Sequence, residues 1–172
     1  MLQLLLLRHA KAEQGGAATA DRDRVLAPRG IAQSVEMGQR MALAGYRPGT
    51  IICSSSRRTR DTLMGILPAL MPILPGGAEI RLDPRLYEGS DQTYLDVARM
   101  AEGPAPILLI GHNPATHALA SSMVAEGGGA RHDAMAKGFP TAALAVITFE
   151  AERWHQVERG TGRLEAFIEP TA

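Results

Sequence analysis

Three short apolar runs divide the chain, and each of them predicts a buried strand. They cover residues 2–7 (LQLLLL), 50–53 (TIIC) and 107–110 (ILLI). Short runs that are apolar at nearly every position are typical of strands covered on both faces, as in a parallel sheet. Each run is followed by a polar turn and then by a segment with helix signals, so the pattern predicts alternating strands and helices.

The first helix is predicted from its end signals and its apolar spacing. A proline at the first helical position is favourable, so the helix is expected to run from Pro28 to about Ala44. Its apolar residues Ile31, Val35 and Met41 are expected to face the core.

Further elements are predicted along the rest of the chain. A helix is expected to begin near residue 57, a short strand at residues 80–82, and another helix at residues 92–101. After the third apolar run, Asn113 is expected to be the N-cap of a helix and Pro114 its first residue.

Two final strands are predicted at residues 143–149 and 154–157. Adjacent strands of this kind pair naturally as an antiparallel hairpin, which would place the last strand at the sheet edge. The order of elements predicts an α/β protein: a three-layer α/β/α sandwich around a mostly parallel sheet with an antiparallel edge strand. With 172 residues, of which 45% are hydrophobic, we expect one domain spanning residues 1–172.

Basic side chains follow all three of the apolar runs. Arg8 and His9 end the first run, three arginines lie within residues 57–60 after the second, and His112 follows the third. Arginines in the first turn of a helix oppose the helix dipole unless they bind an anion there. Because open α/β sheets bind ligands beyond the carboxyl ends of their strands, we expect these side chains to form one anion site.

Arginine and histidine side chains together suit a phosphoryl group. Each of them alone is compatible with a solvated or loop residue, and only their convergence indicates function. Guanidinium groups match phosphate oxygens and neutralise the charge of a loose transition state. One neutral histidine can attack phosphorus while the other donates a hydrogen bond, and such a site needs no metal.

Four motifs in this chain match a known family. Residues 8–10 (RHA) resemble the Arg-His-Gly motif of the histidine phosphatase superfamily, the phosphoglycerate-mutase-like enzymes. Residues 54–62 (SSSRRTRDT) are similar to its Ser-x-x-x-Arg-x-x-x-Thr element, and residues 111–113 (GHN) to its Gly-His motif. Residues 137–143 (KGFPTAA) resemble the Phe-Pro-Thr segment of the small SixA-like phosphohistidine phosphatases. The motifs occur in the family's order over nearly the whole chain.

The resemblance implies a role for each matching residue. His9 would be the nucleophile, and Arg8, Arg58 and His112 would bind the phosphoryl group and complete the catalytic set. No cofactor and no metal are implied.

The general acid is less directly indicated. In the mutase branch a glutamate does this work, and the nearest candidate here is Glu88, which is equally compatible with a solvated turn carboxylate. Asp91 is the poorer candidate because it better suits a helix cap.

Departures from the larger family members bear on the substrate. Ala12 and Gly15 stand where sugar-phosphate enzymes carry polar contacts, and the segment between Tyr87 and Ile107 is too short for their lid insertions. An open pocket would admit a histidine on another protein but would sequester a small molecule poorly. We therefore expect a phosphatase that dephosphorylates phosphohistidine in a signalling protein, of the histidine-containing phosphotransfer type.

Two other functions remain open. The chain could be a phosphomonoesterase acting on a small phosphorylated metabolite, such as a sugar or nucleotide phosphate. It could also be a non-catalytic phosphoprotein-binding module, although such a module would not need the nucleophile His9.

Other chemistries fit the sequence less well. A cysteine phosphatase would need an arginine six residues after its cysteine, but Thr59 stands there after Cys53. His112 and His117 are five residues apart, off a common helix face, and do not form a metal-binding pair.

Charge and composition narrow the partners. The formal net charge is +0 and aromatic residues make up 4%, so we expect no nucleic-acid partner. The single cysteine fits a reducing compartment. The first apolar run lacks a preceding basic region and is too short for a signal peptide or a membrane span, so we expect a cytoplasmic protein that does not bind membranes.

Overall fold

The leucine-rich first strand lies in the middle of a six-stranded sheet. The computed structural model describes all residues, 1–172, and β1 covers Leu2–Arg8. This strand pairs in parallel with β4 (Ile107–Gly111) and antiparallel with β5 (Leu144–Phe149). Helices cover both faces of the sheet, which explains why apolar residues fill nearly every position of these strands.

The strand order is β3-β2-β4-β1-β5-β6. The remaining strands are β2 (Thr50–Ser54), β3 (Glu79–Asp83) and β6 (Arg163–Ile168). Pairing is parallel from β3 to β1, and the edge strand β6 pairs antiparallel with β5. The predicted mostly parallel sheet with an antiparallel edge strand is confirmed.

Two helical layers complete the sandwich. Alternate residues of β1 point to opposite faces, so Leu5 and Leu7 pack in one core cluster and Leu4 and Leu6 in the other. The first cluster contains residues of α1 and α2, and the second contains residues of α3 to α6. The helices are α1 (Pro28–Leu43), α2 (Arg57–Leu70), α3 (Arg85–Glu88), α4 (Asp91–Arg99), α5 (Ala115–Met123) and α6 (Ala130–Lys137). No helix combines the length and the apolar character needed to cross a bilayer.

The inward face of α1 differs from the prediction. Met41 is buried, but Ile31 and Val35 are 56% and 43% exposed. The buried face instead carries small residues, and a Cβ on Gly38 would lie only 2.7 Å from the Cα of Ile66 in α2. Close approach of the two helices thus selects small side chains, which a search for large apolar residues does not detect.

The predicted strand at residues 154–157 was wrong. Trp154–Gln156 form a 3-10 turn, and Trp154 and Val157 pack into the core. The last strand is β6, and it does lie at the sheet edge. A buried tryptophan near a second apolar residue gives the same short pattern in a turn as in a strand.

The helix that follows β4 begins one residue later than predicted. Pro114 is the N-cap, and α5 starts at Ala115. Asn113 does not cap the helix, because its side-chain amide donates to the carbonyl oxygen of Phe139 at 2.9 Å.

We predict that Gly38→Ala lowers the free energy of unfolding by about 1–3 kcal/mol, because the new methyl group would overlap the backbone of α2. Urea unfolding measures the change. Gly76→Ala is the control, since no atom lies within 4 Å of its added Cβ. Equal effects of the two substitutions would contradict the close packing of α1 and α2.

Candidate active site

The carboxyl ends of β1, β2 and β4 bring four of the predicted site residues together. Arg8 ends β1 and is paired in register with Gly111 at the end of β4, which places His9 beside His112. Their ring centroids are 5.3 Å apart. Arg58 lies in the first turn of α2, directly after β2. His9, Arg58 and His112 are all buried.

His9 is held in one tautomer. Its Nδ1 lies 2.7 Å from the carbonyl oxygen of Ala10, which can only accept a hydrogen bond. The proton therefore sits on Nδ1, and Nε2 carries a lone pair. Burial, with a smaller effect of the charges on Arg58 and Arg8, lowers the pKa of His9 to about 4. The ring is therefore neutral at physiological pH and able to act as a nucleophile.

His112 is held by a neighbouring strand and by a buried tyrosine. Its Nε2 lies 2.8 Å from Oγ of Ser54, and its backbone amide donates to the hydroxyl of Tyr94 at 2.9 Å. Gly111 permits this contact, since a Cβ there would lie 2.4 Å from the tyrosine oxygen. Burial and the neighbouring His9 lower the pKa of His112 to about 3, so this ring is neutral as well.

Both arginines are anchored at the outer ends of their guanidinium groups. Arg8 donates from NH1 to the carbonyl oxygen of Phe139 at 2.9 Å. Arg58 donates to the backbone and side-chain oxygens of Asp21 at 2.9 Å and 3.2 Å. Burial, followed by the charge of Arg58, lowers the pKa of Arg8. The two guanidinium groups are thus fixed by the protein, and each keeps its Nε–H unpaired.

Buried side-chain atoms without a hydrogen-bond partner are concentrated in this site. They are Nε of Arg8, Nε of Arg58, Nδ1 of His112 and Oδ1 of Asn113. The two Nε–H groups are donors, and His112 Nδ1 is a third donor when the Ser54 hydroxyl donates to Nε2. Because buried polar groups in proteins are nearly always paired, these donors indicate a binding site for an anion.

Two side chains missed by the sequence analysis form the rim of the site. Asp21 lies on a short 3-10 turn (Asp21–Asp23), and its carboxylate accepts from the hydroxyl of Tyr87 at 2.6 Å. The Tyr87 ring meets His112 edge-on, with centroids 5.6 Å apart. The hydrogen bond from Tyr87, and then the charge of Arg58, lower the pKa of Asp21 to about 2, so this carboxylate is ionised.

Glu88 makes no hydrogen bond or ion pair in the structure. It is exposed at the end of α3, where its neighbour Tyr87 faces the site. Asp91 pairs with Arg159 at 2.9 Å. The carboxylate that contacts the site is therefore Asp21, which no sequence motif indicated, and the acid role of Glu88 stays a prediction.

The alternatives rejected from the sequence also lie apart from this chemistry. Cys53 is fully buried in β2, and burial raises the pKa of its thiol to about 12. His117 is bonded through Nε2 to the carbonyl oxygen of Met135 at 2.8 Å.

Comparison with known proteins identifies relatives of this chain. The family model of the histidine phosphatase superfamily (branch 1) matches residues 4–93, slightly more than half of the chain. An uncharacterised protein of Mycobacterium tuberculosis is 31% identical over 169 residues, which cover 95% of this chain and 99% of the relative.

Solved structures extend the similarity. SixA of Agrobacterium tumefaciens, provisionally assigned as a phosphohistidine phosphatase, has a TM-score of 0.80 and 30% identity, with 98% of each chain covered. The protein histidine phosphatase SixA, in complex with tungstate, has a TM-score of 0.76 and 22% identity over 98% of this chain and 97% of its own. A mycobacterial glucosyl-3-phosphoglycerate phosphatase bound to VO3 has a TM-score of 0.63 and 16% identity over 96% and 98%. The last two comparisons show the fold alone.

We predict that Arg58→Ala weakens binding of orthophosphate or vanadate roughly 10- to 150-fold, because hydrogen bonds to charged groups contribute about 1.5–3 kcal/mol. Titration calorimetry measures the affinity. Arg57→Ala is the matched control, since that side chain is half exposed and pairs with Asp61. Equal losses in the two variants would show that Arg58 does not bind the anion.

We also predict that the free energy of unfolding falls as the pH is lowered from about 6.5 towards 4. Unfolded histidines take up protons near pH 6.5, whereas folded His9 and His112 stay neutral to lower pH. The unfolded state then binds more protons, and each histidine contributes up to about 1.4 kcal/mol per pH unit.

Urea unfolding at several pH values measures this slope. His9→Gln should reduce it, whereas the control His155→Gln, at an exposed position, should not. A slope that is unchanged in His9→Gln would contradict a neutral, buried His9.

Proposed function

Because this chain belongs to the histidine phosphatase superfamily, in its SixA-like branch, we propose that it is a phosphatase acting through a covalent phosphohistidine on His9. We further propose that its substrate is phosphohistidine in a signalling protein. The observation that carries the first proposal is the meeting of a bare Nε2 on neutral His9 with the unpaired donors of Arg8, Arg58 and His112.

The proposed reaction has two steps. In the first, Nε2 of His9 attacks phosphorus, the bond to the leaving group breaks, and the donors of Arg8, Arg58 and His112 stabilise the three equatorial oxygens. The phosphorylated ring keeps its proton on Nδ1, where the carbonyl oxygen of Ala10 accepts it and supports the developing positive charge. In the second, water attacks phosphorus, phosphate leaves, and Nε2 regains its lone pair.

The leaving group distinguishes the candidate substrates. Expelling an alkoxide requires a proton donor, because an alcohol has a pKa near the value of about 15.7 for water, whereas a histidine leaving group has a reference pKa of about 6.5. The carboxylate at the rim, Asp21, is ionised, and Glu88 makes no contact with the site. A site without a neutral carboxylic acid beside it supports phosphohistidine as the substrate.

Access to the site also supports a protein substrate. The segment between Tyr87 and β4 forms α4 and a return loop, and it adds no lid over His9. A histidine that protrudes from another protein could therefore reach the pocket. The anion-binding donors are cationic and imidazole groups, which supports a phosphatase that needs no metal and no cofactor.

A small phosphorylated metabolite is the second candidate substrate. Arg22 and Arg24 lie on or beside the rim turn, with Arg22 5.3 Å from the centre of the Tyr87 ring. A second anionic group of a small substrate could bind these arginines. A role as a non-catalytic binding module is disfavoured by the tautomer of His9, which leaves a nucleophilic nitrogen at the anion site. The cytoplasmic location stays a prediction from the sequence.

We predict that the protein hydrolyses a phosphohistidine-containing phosphotransfer protein at least tenfold more efficiently than sugar phosphates, nucleotides and phosphoserine peptides, a difference of about 1.4 kcal/mol in transition-state binding. The measurement is kcat/KM for each substrate, with and without EDTA. In Glu88→Gln, activity on the phosphohistidine protein should persist because its leaving group needs little assistance from an acid.

Glu126→Gln, at an exposed position, is the control for this variant. A preference for sugar phosphates, with loss of that activity in Glu88→Gln, would favour the metabolite enzyme and assign the acid role to Glu88. Loss of all activity in EDTA would contradict metal independence.

A further inference from the structure

One peptide group lies behind the nucleophile, and the protein holds it from both ends. The carbonyl oxygen of Ala10 accepts the hydrogen bond from Nδ1 of His9 at 2.7 Å. The amide N–H of the same peptide group belongs to Lys11, and it donates to Oε1 of Gln33 at 3.0 Å. Gln33 is therefore connected to the His9 ring through a single planar unit.

The Gln33 side chain is itself fixed. It is 3% exposed on the inner face of α1, and its Oε1 also accepts from the hydroxyl of Thr141 at 3.1 Å. An N–H and an O–H converge on this atom, so the amide oxygen is assigned by its partners. Its two acceptor positions are used, and the direction of the C=O group cannot change without the loss of a buried hydrogen bond.

Backbone packing keeps the peptide group against α1. The carbonyl oxygen of Lys11 accepts from the amide of Ala27 at 2.9 Å, just before the helix. A Cβ on Gly30 would lie 2.0 Å from that oxygen, so only glycine allows the approach. On the other side, the amide of Ala10 donates to Oγ1 of Thr62 in α2 at 2.9 Å.

The orientation of this peptide group decides which nitrogen of His9 can react. A carbonyl oxygen aimed at Nδ1 keeps the proton there and leaves Nε2 as the nucleophile. If the peptide group rotated, the ring would lose its partner, and the tautomer with the proton on Nε2 could not attack phosphorus.

We propose that Gln33 is a positioning residue for catalysis, which holds the Ala10–Lys11 peptide group so that His9 keeps its proton on Nδ1. This inference rests on the proposed role of His9 as the nucleophile. Gln33 does not touch the substrate, and its effect passes through the backbone to the ring. Its loss therefore changes kcat and leaves KM nearly unchanged.

The test uses the full chain labelled with 15N-histidine. The two ring-nitrogen shifts of His9, assigned by their loss in His9→Gln, report the tautomer without any turnover. In the wild type we expect the Nδ1–H form. Gln33→Met keeps the size of the side chain but removes the acceptor, and we expect a mixture of tautomers and a roughly tenfold lower kcat. Gln33→Glu restores an acceptor and should restore the Nδ1–H form.

Two further variants isolate the effect. Gln39→Met makes the same change at an exposed position of α1 and should alter neither measurement. Thr141→Val removes the second bond to Gln33 but leaves the bond from Lys11, and it should preserve the tautomer. If Gln33→Met does not fold, Gln33→Asn, in which the oxygen is withdrawn by one carbon, takes its place.

An unchanged Nδ1–H tautomer in the Gln33 variant would overturn the proposal, whatever the activity. A tautomer shift in Thr141→Val as large as that in Gln33→Met would also overturn it, since the bond to Lys11 would then not carry the effect. A wild-type protein that keeps the expected tautomer but never becomes phosphorylated on His9 would refute the proposed function, while the contact between Gln33 and the ring would still be measured.

Discussion

The hydrogen bond from Nδ1 of His9 to the carbonyl oxygen of Ala10 is the interaction on which the proposed chemistry depends. It joins a buried imidazole to the chain only one residue away, so the first turn after β1 sets both the position and the tautomer of the ring. Burial keeps the ring neutral by lowering its pKa to about 4. A nucleophile prepared in this way needs no separate general base, and the remaining residues of the site can serve the phosphoryl oxygens.

The sheet brings these residues together at an energetic cost. Arg8 and Arg58 are partly or fully buried side by side, and each keeps one N–H unpaired, which costs about 1–3 kcal/mol for a buried donor. Carbonyl and carboxylate oxygens from Phe139 and Asp21 offset part of this cost at the outer ends of the guanidinium groups. The strands behind them are apolar and close-packed, so the unfavourable charges are confined to one edge of a stable core. Binding of an anion would remove the remaining penalty, which links substrate binding to stability.

Sequence patterns predicted the strands and the four site residues best, because those features depend on local order. A buried apolar run followed by a polar turn is local information, and the order of motifs placed Arg8, His9, Arg58 and His112 correctly at one edge. Contacts that depend on tertiary approach were missed. The rim carboxylate Asp21 lies in a loop whose path is set by Arg58, and the inner face of α1 is selected by the close approach of α2. Likewise, nothing in the sequence around Gln33 indicates that it contacts the peptide group behind His9.

The most direct test of the central claim is to find where the phosphoryl group resides during turnover. The enzyme would be mixed with a phosphohistidine protein, quenched without acid to preserve the phosphorus–nitrogen bond, and mapped by mass spectrometry and 31P NMR. The account predicts a single phosphoryl group on Nε2 of His9 and none in His9→Ala. Phosphate on His112, phosphate on Nδ1 of His9, or steady turnover by His9→Ala would contradict it.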